Sequence, residues 1–515
     1  MNYLVLPSSQ WLYPDITQYR GESRAIEMET TRFFKAGAQV LLIGAERGLQ
    51  WSCDLAGVNA EPMISVYVGA NPGLEESNRE HFPERRAPFR VYDCIADWQD
   101  ERVWDSNMAL YVTFDPQGRS AGVYEGTLTV GELHIPINVR IRDIGTLPER
   151  LTILNNYLPS KAAEAHHMAE NDERFAAVNG SYLERLREMH QTALYVPDKV
   201  VNEKTAHGYS FDFSELIAFC REAKEYGFKT FYLHALGSRV KWDLPTVVIN
   251  GFPAMSFDAY LYAKAYLTAL KSALTEAGFA LEDFYMGVAD EPTSVNAAEY
   301  CAVCALIKKF LPEIKLLDAV MIDSVYYGPD AVAVTPQTYL KRREIFDQLR
   351  EDMQLWYYVA LSPRKEGMIN RFLDFPLLTS RYLHWANFRY GFCGYMHWAV
   401  NFYQPGQDPF EDTCCKHKTH GDVWMLPPGD THIFYPGRNG PYRSMRSENE
   451  RMGAEEYALF DAVAAFDPER AMELCKSAFR EFDDFEIDAT RFEEIRKSIL
   501  RTAEKILQED YAIIY

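Results

Sequence analysis

Two adjacent carboxylates follow an apolar run near the middle of the chain. Asp290 and Glu291 end the run FYMGVA at residues 284–289 and precede Pro292, which disfavours continuation of a strand. Neighbouring side chains of a strand point to opposite faces, so both carboxylates reach one pocket only if the chain bends there. Hydrolysis of a glycosidic bond generally requires two carboxyl groups. The pattern therefore predicts that Asp290 and Glu291 are catalytic.

An Asp-Glu dipeptide by itself is weak evidence for a catalytic site. Asp172 and Glu173 repeat it inside the polar run AENDER at residues 169–174, which is typical of a solvent-facing segment. Such carboxylates more often cap a helix or form a surface ion pair than catalyse a reaction. The interpretation of Asp290 and Glu291 therefore depends on the elements that position them.

From about residue 147, short apolar runs alternate with longer amphipathic ones, as in parallel strands connected by helices. Eight such strands predict an α/β fold, the (β/α)8 TIM barrel. The predicted strands are 151–155, 192–196, 230–234, 284–289, 314–319, 331–335, 354–360 and 394–400. The predicted helices include 213–226, 259–277, 297–310 and 339–351.

Two further segments flank the predicted barrel. Residues 1–146 contain short strand-like runs separated by turn residues, which predicts an N-terminal β-sandwich as an accessory domain. Residues 446–515 contain periodic runs of mixed charge at 449–465, 468–482 and 489–508, which predict a C-terminal helical extension packed on the barrel. The chain is thus predicted to be multidomain, with boundaries at 1–146, 147–445 and 446–515.

The C-terminal ends of the strands of a parallel barrel form one face, and active sites lie on that face. Other residues near these ends are His234, Tyr358, Trp398 and Asn401. An isolated histidine or aromatic residue at a strand end is more often part of the packed core than a sugar contact. Their placement together with two carboxylates predicts that they bind the substrate.

The overall charge excludes some classes of partner. A formal net charge of −21 argues against nucleic acid, because phosphate binding relies on clustered Lys and Arg. The N-terminus lacks a basic segment, and no apolar stretch of about 18 residues occurs. We therefore expect a cytoplasmic chain that does not bind a membrane.

Nine scattered cysteines predict reduced thiols without structural disulfides.

Two cysteine clusters could carry chemistry. Cys301 and Cys304 lie one helical turn apart, which is more typical of core packing than of a redox motif. Zinc ligands could come from the second cluster, which contains Cys414, Cys415, His417 and His420. No second Cys/His cluster completes a structural site, so the sequence predicts neither a metal nor another cofactor.

Several separated segments together resemble the catalytic domain of glycoside hydrolase family 123. They are MGVADEP (286–292), QLWYYV (354–359), RYLHW (381–385), YGFCGYMHW (390–398), GDTHIFYPG (429–437), SMR (444–446) and RMGAEEY (451–457). The segment APFRVYD (87–93) and the hairpin near Gly122 are similar to that family's accessory β-sandwich. The resemblance covers about residues 60–460 in ordered pieces.

The resemblance implies a retaining, exo-acting β-N-acetylhexosaminidase, similar to a β-N-acetylgalactosaminidase, that uses substrate-assisted catalysis. By that analogy Glu291 is the general acid/base. Asp290 orients the 2-acetamido group, whose carbonyl oxygen attacks the anomeric carbon. The segment at 381–385 adds Trp385 to the substrate-binding candidates. The implied partner is a small oligosaccharide or glycoside, and the sequence leaves a homo-oligomer open.

Two departures from the family leave the sugar open. Members are often exported, whereas this chain lacks a recognisable signal segment, and residues 404–428 could reshape the pocket after the last strand. Alternatives are a β-glycosidase for a hexoside without the acetamido group, a catalytically inactive carbohydrate-binding barrel, and a metal-dependent hydrolase.

Overall fold

The structure is a computed structural model that describes residues 1–69, 85–205, 208–364, 367–419 and 422–514 of the 515-residue chain. The N-terminal part forms strands in two sheets around one apolar core. Those strands are β1 (Asn2–Pro7), β2 (Ile26–Thr30), β3 (Ala36–Ile43), β4 (Trp51–Cys53), β5 (Val58–Val68), β6 (Phe89–Ile95), β7 (Asn107–Phe114), β8 (Gly122–Val130) and β9 (Leu133–Ile141). A 3-10 turn, Glu101–Val103, lies between β6 and β7.

The two N-terminal sheets differ in how deeply they are buried. Strands β1, β3, β7, β5 and β6 pair antiparallel in that order, and β3 and β7 are buried along almost their whole length. The second sheet has the order β2-β9-β8-β4, and β9 alternates between buried and more exposed positions. Continuous burial requires cover on both faces, so the first sheet lies between the second sheet and the rest of the molecule.

The middle of the chain forms the strands and helices of the barrel and its insertions. The strands are β10 (Thr152–Asn155), β11 (Ala193–Tyr195), β12 (Val201–Thr205), β13 (Gly208–Asp212), β14 (Thr230–Leu233), β15 (Ser238–Arg239), β16 (Val247–Ile249), β17 (Phe252–Pro253), β18 (Phe284–Met286), β19 (Lys315–Val320), β20 (Ala331–Val334), β21 (Gln354–Tyr358), β22 (Gly394–His397), β23 (Lys416–Thr419) and β24 (Asp422–Met425). The helices are α1 (Pro159–Ala165), α2 (Phe175–Glu188), α3 (Ser214–Glu225), α4 (Phe257–Glu276), α5 (Ala297–Phe310), α6 (Pro336–Lys341), α7 (Arg343–Leu349) and α8 (Leu378–Tyr390), with a 3-10 turn at Leu281–Asp283.

Eight parallel strands form a nearly closed barrel in the order β10-β22-β21-β20-β19-β18-β14-β11. They coincide with the eight strands predicted from the sequence, apart from shifts at their ends. Side chains from alternate positions fill the interior, including Tyr232, Tyr285, Trp356 and Tyr358. A Cβ on Gly394 would lie 2.1 Å from the Trp356 ring, so only glycine leaves room for this indole inside the barrel.

The helix predicted at 339–351 is not one continuous helix in the structure. The run at 339–351 was expected to be continuous, but Arg342 has φ −128° and ψ 28° and separates α6 from α7. The first of these helices begins earlier than predicted, because the Thr335 hydroxyl accepts a hydrogen bond from the backbone N–H of Thr338 and caps it.

The C-terminal part connects the two domains rather than only covering the barrel. Its elements are β25 (Tyr435–Pro436), β26 (Pro441–Ser444), α9 (Met445–Ala464), α10 (Pro468–Lys476), β27 (Phe479–Glu481), β28 (Asp484–Phe485) and α11 (Ala489–Ile514). Strand β26 pairs antiparallel with β6, so residues inside the predicted barrel domain belong to the N-terminal sheet. The helix predicted at 468–482 ends at Lys476 and is followed by the β27–β28 hairpin.

Helix α9 carries an unusual number of buried charged side chains. Glu448 accepts a hydrogen bond from Tyr111 of the N-terminal sheet, while Glu456 forms a buried ion pair with Arg381 of α8. One helix therefore holds the N-terminal sheet and the barrel together, since breaking a buried pair leaves an uncompensated charge. Within the described ranges, none of the helices combines the length and apolar character that a membrane span requires.

Candidate active site

The chain bends sharply where β18 ends. Asp290 and Glu291 have positive φ angles of 51° and 37°, in the left-handed region that side chains other than glycine seldom adopt. A bend at this point is what the sequence requires if both carboxylates are to reach one pocket. Such backbone strain concentrates at functional sites, where surrounding contacts enforce it.

Asp318 on β19 supplies part of that enforcement. Its Oδ2 accepts hydrogen bonds from the backbone N–H groups of Val288 at 2.9 Å and Ala289 at 3.1 Å, the two residues before the carboxylates. Its Oδ1 accepts a hydrogen bond from the Tyr232 hydroxyl at 3.1 Å. Burial, and then the charge of Asp290, raise the pKa of Asp318 to about 7. Asp318 thus fixes the backbone that presents Asp290 and Glu291.

Glu291 has the environment of a carboxylic acid that keeps its proton. The Tyr358 hydroxyl, from the end of β21, donates a hydrogen bond to Glu291 Oε1 at 2.9 Å. Burial and the neighbouring charge of Asp290 raise the pKa of Glu291 to about 7, against the opposing effects of Tyr358 and Arg239. A group of this kind can protonate a leaving oxygen near neutral pH.

Asp290 is the more exposed member of the pair. Its side chain is 68% exposed, against 24% for Glu291, so Asp290 stands further out at the rim. Both carboxylates face the same nitrogen, because Nη2 of Arg239 lies 3.5 Å from Asp290 Oδ2 and 3.8 Å from Glu291 Oε2. The two acids therefore converge on one point, with one shielded and one open to solvent.

Three predicted substrate contacts near the strand ends, Tyr358, His234 and Trp398, stay predictions. His234 follows β14 and is exposed. Trp398 follows β22, is half-buried, and donates a hydrogen bond from Nε1 to Asp430 Oδ2 at 3.2 Å. Asp430 is fully buried, and that burial raises its pKa to about 7. A buried carboxyl group thus holds the indole in one orientation at the end of β22.

Two predicted substrate contacts, Trp385 and Asn401, are fully buried in the structure. Trp385 lies in α8 with no exposed surface and donates a hydrogen bond to Glu456 Oε2 at 2.8 Å, so it packs between helices away from the strand ends. Asn401 is also fully buried. Its amide accepts a hydrogen bond from the backbone N–H of Leu158 and donates one to the backbone oxygen of Leu158, each at 2.9 Å. It anchors the loop after β10.

Sequence reasoning missed Asp318 and Arg239. Asp318 had a detectable signal, since it is the only acid in the strand KLLDAV at Lys315–Val320 and a lone carboxylate in a buried strand needs a partner. Arg239 had no local signal. It lies in a short insertion between β14 and α4, and its partners come from a different loop.

One described cavity lies away from the two carboxylates. A cavity of about 570 Å³ between α1 and the N-terminal domain is lined by Arg102, Lys161 and Tyr403 among others, and contains neither carboxylate. Among the described residues, no group of three or more His, Cys, Asp or Glu side chains could hold a metal ion. His420 and the side chain of His417 lie outside the described part, so the predicted cluster is not tested.

Comparison with known proteins identifies a family pattern over most of the barrel. The family model for the catalytic domain of glycoside hydrolase 123 matches residues 163–463. A search of curated proteins found no match.

Among solved structures, a family 123 glycoside hydrolase from Clostridium perfringens, described for glycolipid glycan hydrolysis, matches with a TM-score of 0.75. That match has 11% identity and covers 100% of both chains. A family 5 mannosidase from Rhizomucor miehei has a TM-score of 0.33 and 12% identity, covering 61% of this chain and 94% of the mannosidase. At 11% identity, the likeness to the Clostridium perfringens enzyme concerns the fold alone.

Proposed function

This chain belongs to glycoside hydrolase family 123 and is a glycoside hydrolase, and from that premise we propose that it is a retaining, exo-acting β-N-acetylhexosaminidase. The proposed enzyme resembles a β-N-acetylgalactosaminidase and uses substrate-assisted catalysis. The observation that carries the proposal is the contrast between a shielded Glu291, bound to Tyr358, and an open Asp290 beside it. Two adjacent carboxyl groups in different environments are suited to different roles.

In the first step, Glu291 donates its proton to the glycosidic oxygen as the bond from the anomeric carbon to that oxygen breaks. The carbonyl oxygen of the 2-acetamido group attacks the same carbon from the opposite face and forms an oxazolinium ion. Asp290 accepts a hydrogen bond from the acetamido N–H and stabilises the positive charge that develops there. No enzyme nucleophile is required, which is a recognised exception to the usual two-carboxylate scheme.

In the second step, the carboxylate of Glu291 takes a proton from water as the water oxygen attacks the anomeric carbon. The bond from that carbon to the acetamido oxygen breaks, and the acetamide is restored. Two inversions at one carbon give net retention of the β configuration. Glu291 ends protonated, ready for the next turnover.

The test compares matched aryl β-glycosides that differ only in the 2-acetamido group, for galactose and glucose configurations, at several pH values. We expect turnover of the acetamido members and strong inhibition by an oxazoline mimic. Asp290→Asn should reduce turnover of the acetamido substrates most. Equal turnover of substrates with and without the group, or equal losses in Asp290→Asn, would contradict the proposed mechanism.

The natural glycan requires a second comparison. The similar enzyme from Clostridium perfringens is described for glycolipid glycan hydrolysis, so oligosaccharides of that class with a terminal β-linked N-acetylhexosamine are the first to test. Release of the terminal sugar alone would support exo action. Release of longer fragments would contradict it.

A further inference from the structure

Arg239 is a buried cation in the rim beside the catalytic pair. Its side chain is only 2% exposed, and its guanidinium carbon lies 3.7 Å from the centre of the Trp242 ring. Within the described residues, Nε and Nη1 have no hydrogen-bond partner. The charge of Arg239 is therefore directed at two groups, the carboxylates of Asp290 and Glu291.

Other buried arginines of this chain are held differently. Arg381 binds Glu456 through two hydrogen bonds, and Arg446 donates one from Nε to Asp93 Oδ2 at 3.0 Å. Each of these cations is matched to a carboxylate outside the catalytic pair. A buried charge is costly unless it is paired, and among the described residues Arg239 forms its ion pairs only with the proposed catalytic carboxylates.

The insertion that carries Arg239 is attached to the loop that carries the two acids. The backbone N–H of Gly237 donates to Val288 O at 2.8 Å. The Thr293 hydroxyl donates to Trp242 O at 3.2 Å, on the far side of Asp290 and Glu291. These contacts on both sides of the bend hold Arg239 next to the two carboxylates.

We propose that Arg239 is a positioning residue that sets the charge state of the catalytic pair, keeping Asp290 ionised beside a protonated Glu291. The proposal rests on the function proposed above, because it assigns different protonation states to the two acids. A cation between two adjacent carboxyl groups favours the state in which one of them is charged. Its stacking on Trp242 fixes the guanidinium plane, which a flexible ammonium group would not retain as well.

The other charged and titratable groups around Glu291 do not replace this cation. The groups that act on it from neighbouring elements are Asp290, Asp318 on β19 and the Tyr358 hydroxyl on β21. Asp290 and Asp318 raise the pKa of Glu291, whereas Tyr358 and Arg239 lower it. Arg239 is the one cation among the described groups that act on Glu291, so its removal leaves two carboxyl groups and a neutral hydroxyl among them.

The test is the pH dependence of kcat/KM for Arg239→Gln. Without the cation, the carboxyl group of Glu291 holds its proton to higher pH. The alkaline limb, which reports loss of the Glu291 proton, should therefore move up by about 1 unit or more. Arg239→Lys keeps the charge and should retain the alkaline limb and kcat/KM within about tenfold of the wild type.

Arg381→Lys is the matched control, because it alters a buried arginine that pairs with Glu456 instead. It should lower the Tm and leave the alkaline limb in place. An unmoved alkaline limb in Arg239→Gln would overturn the proposal, even if activity falls. If that variant does not fold, Arg239→Lys carries the test, and a loss of more than about a hundredfold would exclude a role based on charge. Absence of wild-type turnover on every aryl glycoside would instead reject the proposed function.

Discussion

The Tyr358 hydroxyl donates a hydrogen bond to Glu291 Oε1 at 2.9 Å, joining residues 67 positions apart in the sequence. The tyrosine ends β21 and the glutamate follows β18, so the contact crosses the C-terminal face of the barrel. It orients one carboxyl oxygen of Glu291, which is the more shielded of the two acids.

Replacing Glu291 by glutamine removes the transferable proton while keeping the size of the side chain. For a substrate with a poor leaving group, we expect kcat/KM to fall by about two to four orders of magnitude, the usual contribution of general acid catalysis. The loss should be much smaller for a dinitrophenyl glycoside, which leaves without protonation. Equal losses for both leaving groups would contradict the assignment of Glu291 as the acid.

The Tyr358 hydrogen bond favours the ionised form of Glu291, so removing that bond should raise the pKa of Glu291 further. In Tyr358→Phe the alkaline limb of the pH–rate profile, expected near the Glu291 pKa of about 7, should therefore move to higher pH. Tyr357→Phe is the matched control, since that hydroxyl donates to Leu383 O and not to the pair. A shift in the control, or none in Tyr358→Phe, would count against this role of the hydroxyl.

Asp318 should make stability depend on pH in a specific direction. Its pKa is raised from 3.8 to about 7 in the folded protein, so the folded state binds the proton more tightly than the unfolded chain. The corresponding stabilisation is complete at low pH and is lost as pH rises through about 7. Asp318→Asn does not titrate, so its Tm relative to the wild type should increase between pH 5 and pH 8 in thermal unfolding.

A pH-independent Tm difference for Asp318→Asn would show that this carboxyl group does not titrate differently on folding.

Activity provides an independent check of the same residue. Asp318→Ala leaves the backbone N–H groups of Val288 and Ala289 without their acceptor, at a cost of about 1–3 kcal/mol each. We expect a greater loss of kcat in this variant than in Asp318→Asn, which keeps an acceptor oxygen.

Trp398 is an aromatic candidate for substrate binding at the strand ends. If it forms a platform for the sugar, Trp398→Ala should raise KM about tenfold or more, since an aromatic anchor typically contributes over 1 kcal/mol to binding. Asp430→Asn keeps the ring and retains an acceptor for its N–H, so KM should change less. An unchanged KM in Trp398→Ala would remove Trp398 from the site.

Trp385 should behave as a structural residue. Trp385→Phe deletes the hydrogen bond to the buried Glu456 and leaves that carboxylate with one partner fewer. We expect a loss of about 1–3 kcal/mol in the free energy of unfolding, measured by denaturant titration, with KM and the pH–rate profile unchanged. A raised KM in a folded variant would contradict the burial that excludes Trp385 from substrate contact.

The sequence determined the barrel and the position of the two acids. Each barrel strand is a short apolar run, and each is bounded by turn residues or an amphipathic helix, so local periodicity located all eight. Asp290 and Glu291 were identifiable because polar residues ended an apolar strand and Pro292 followed them. These features depend on residues a few positions apart, which is the range over which backbone and side-chain preferences act.

Only the tertiary structure decided which residues accompany the acids. Arg239 and Asp318 reach them from an insertion and another strand, whereas Trp385 packs between helices and Asn401 anchors a loop. Strand β26 pairs with a strand of the N-terminal sheet, and helix α9 contacts both that sheet and a barrel helix, although both elements lie far from the N-terminal part in the sequence. Contacts between distant segments depend on how the strands close and the loops cross the rim, and no local pattern encodes that geometry.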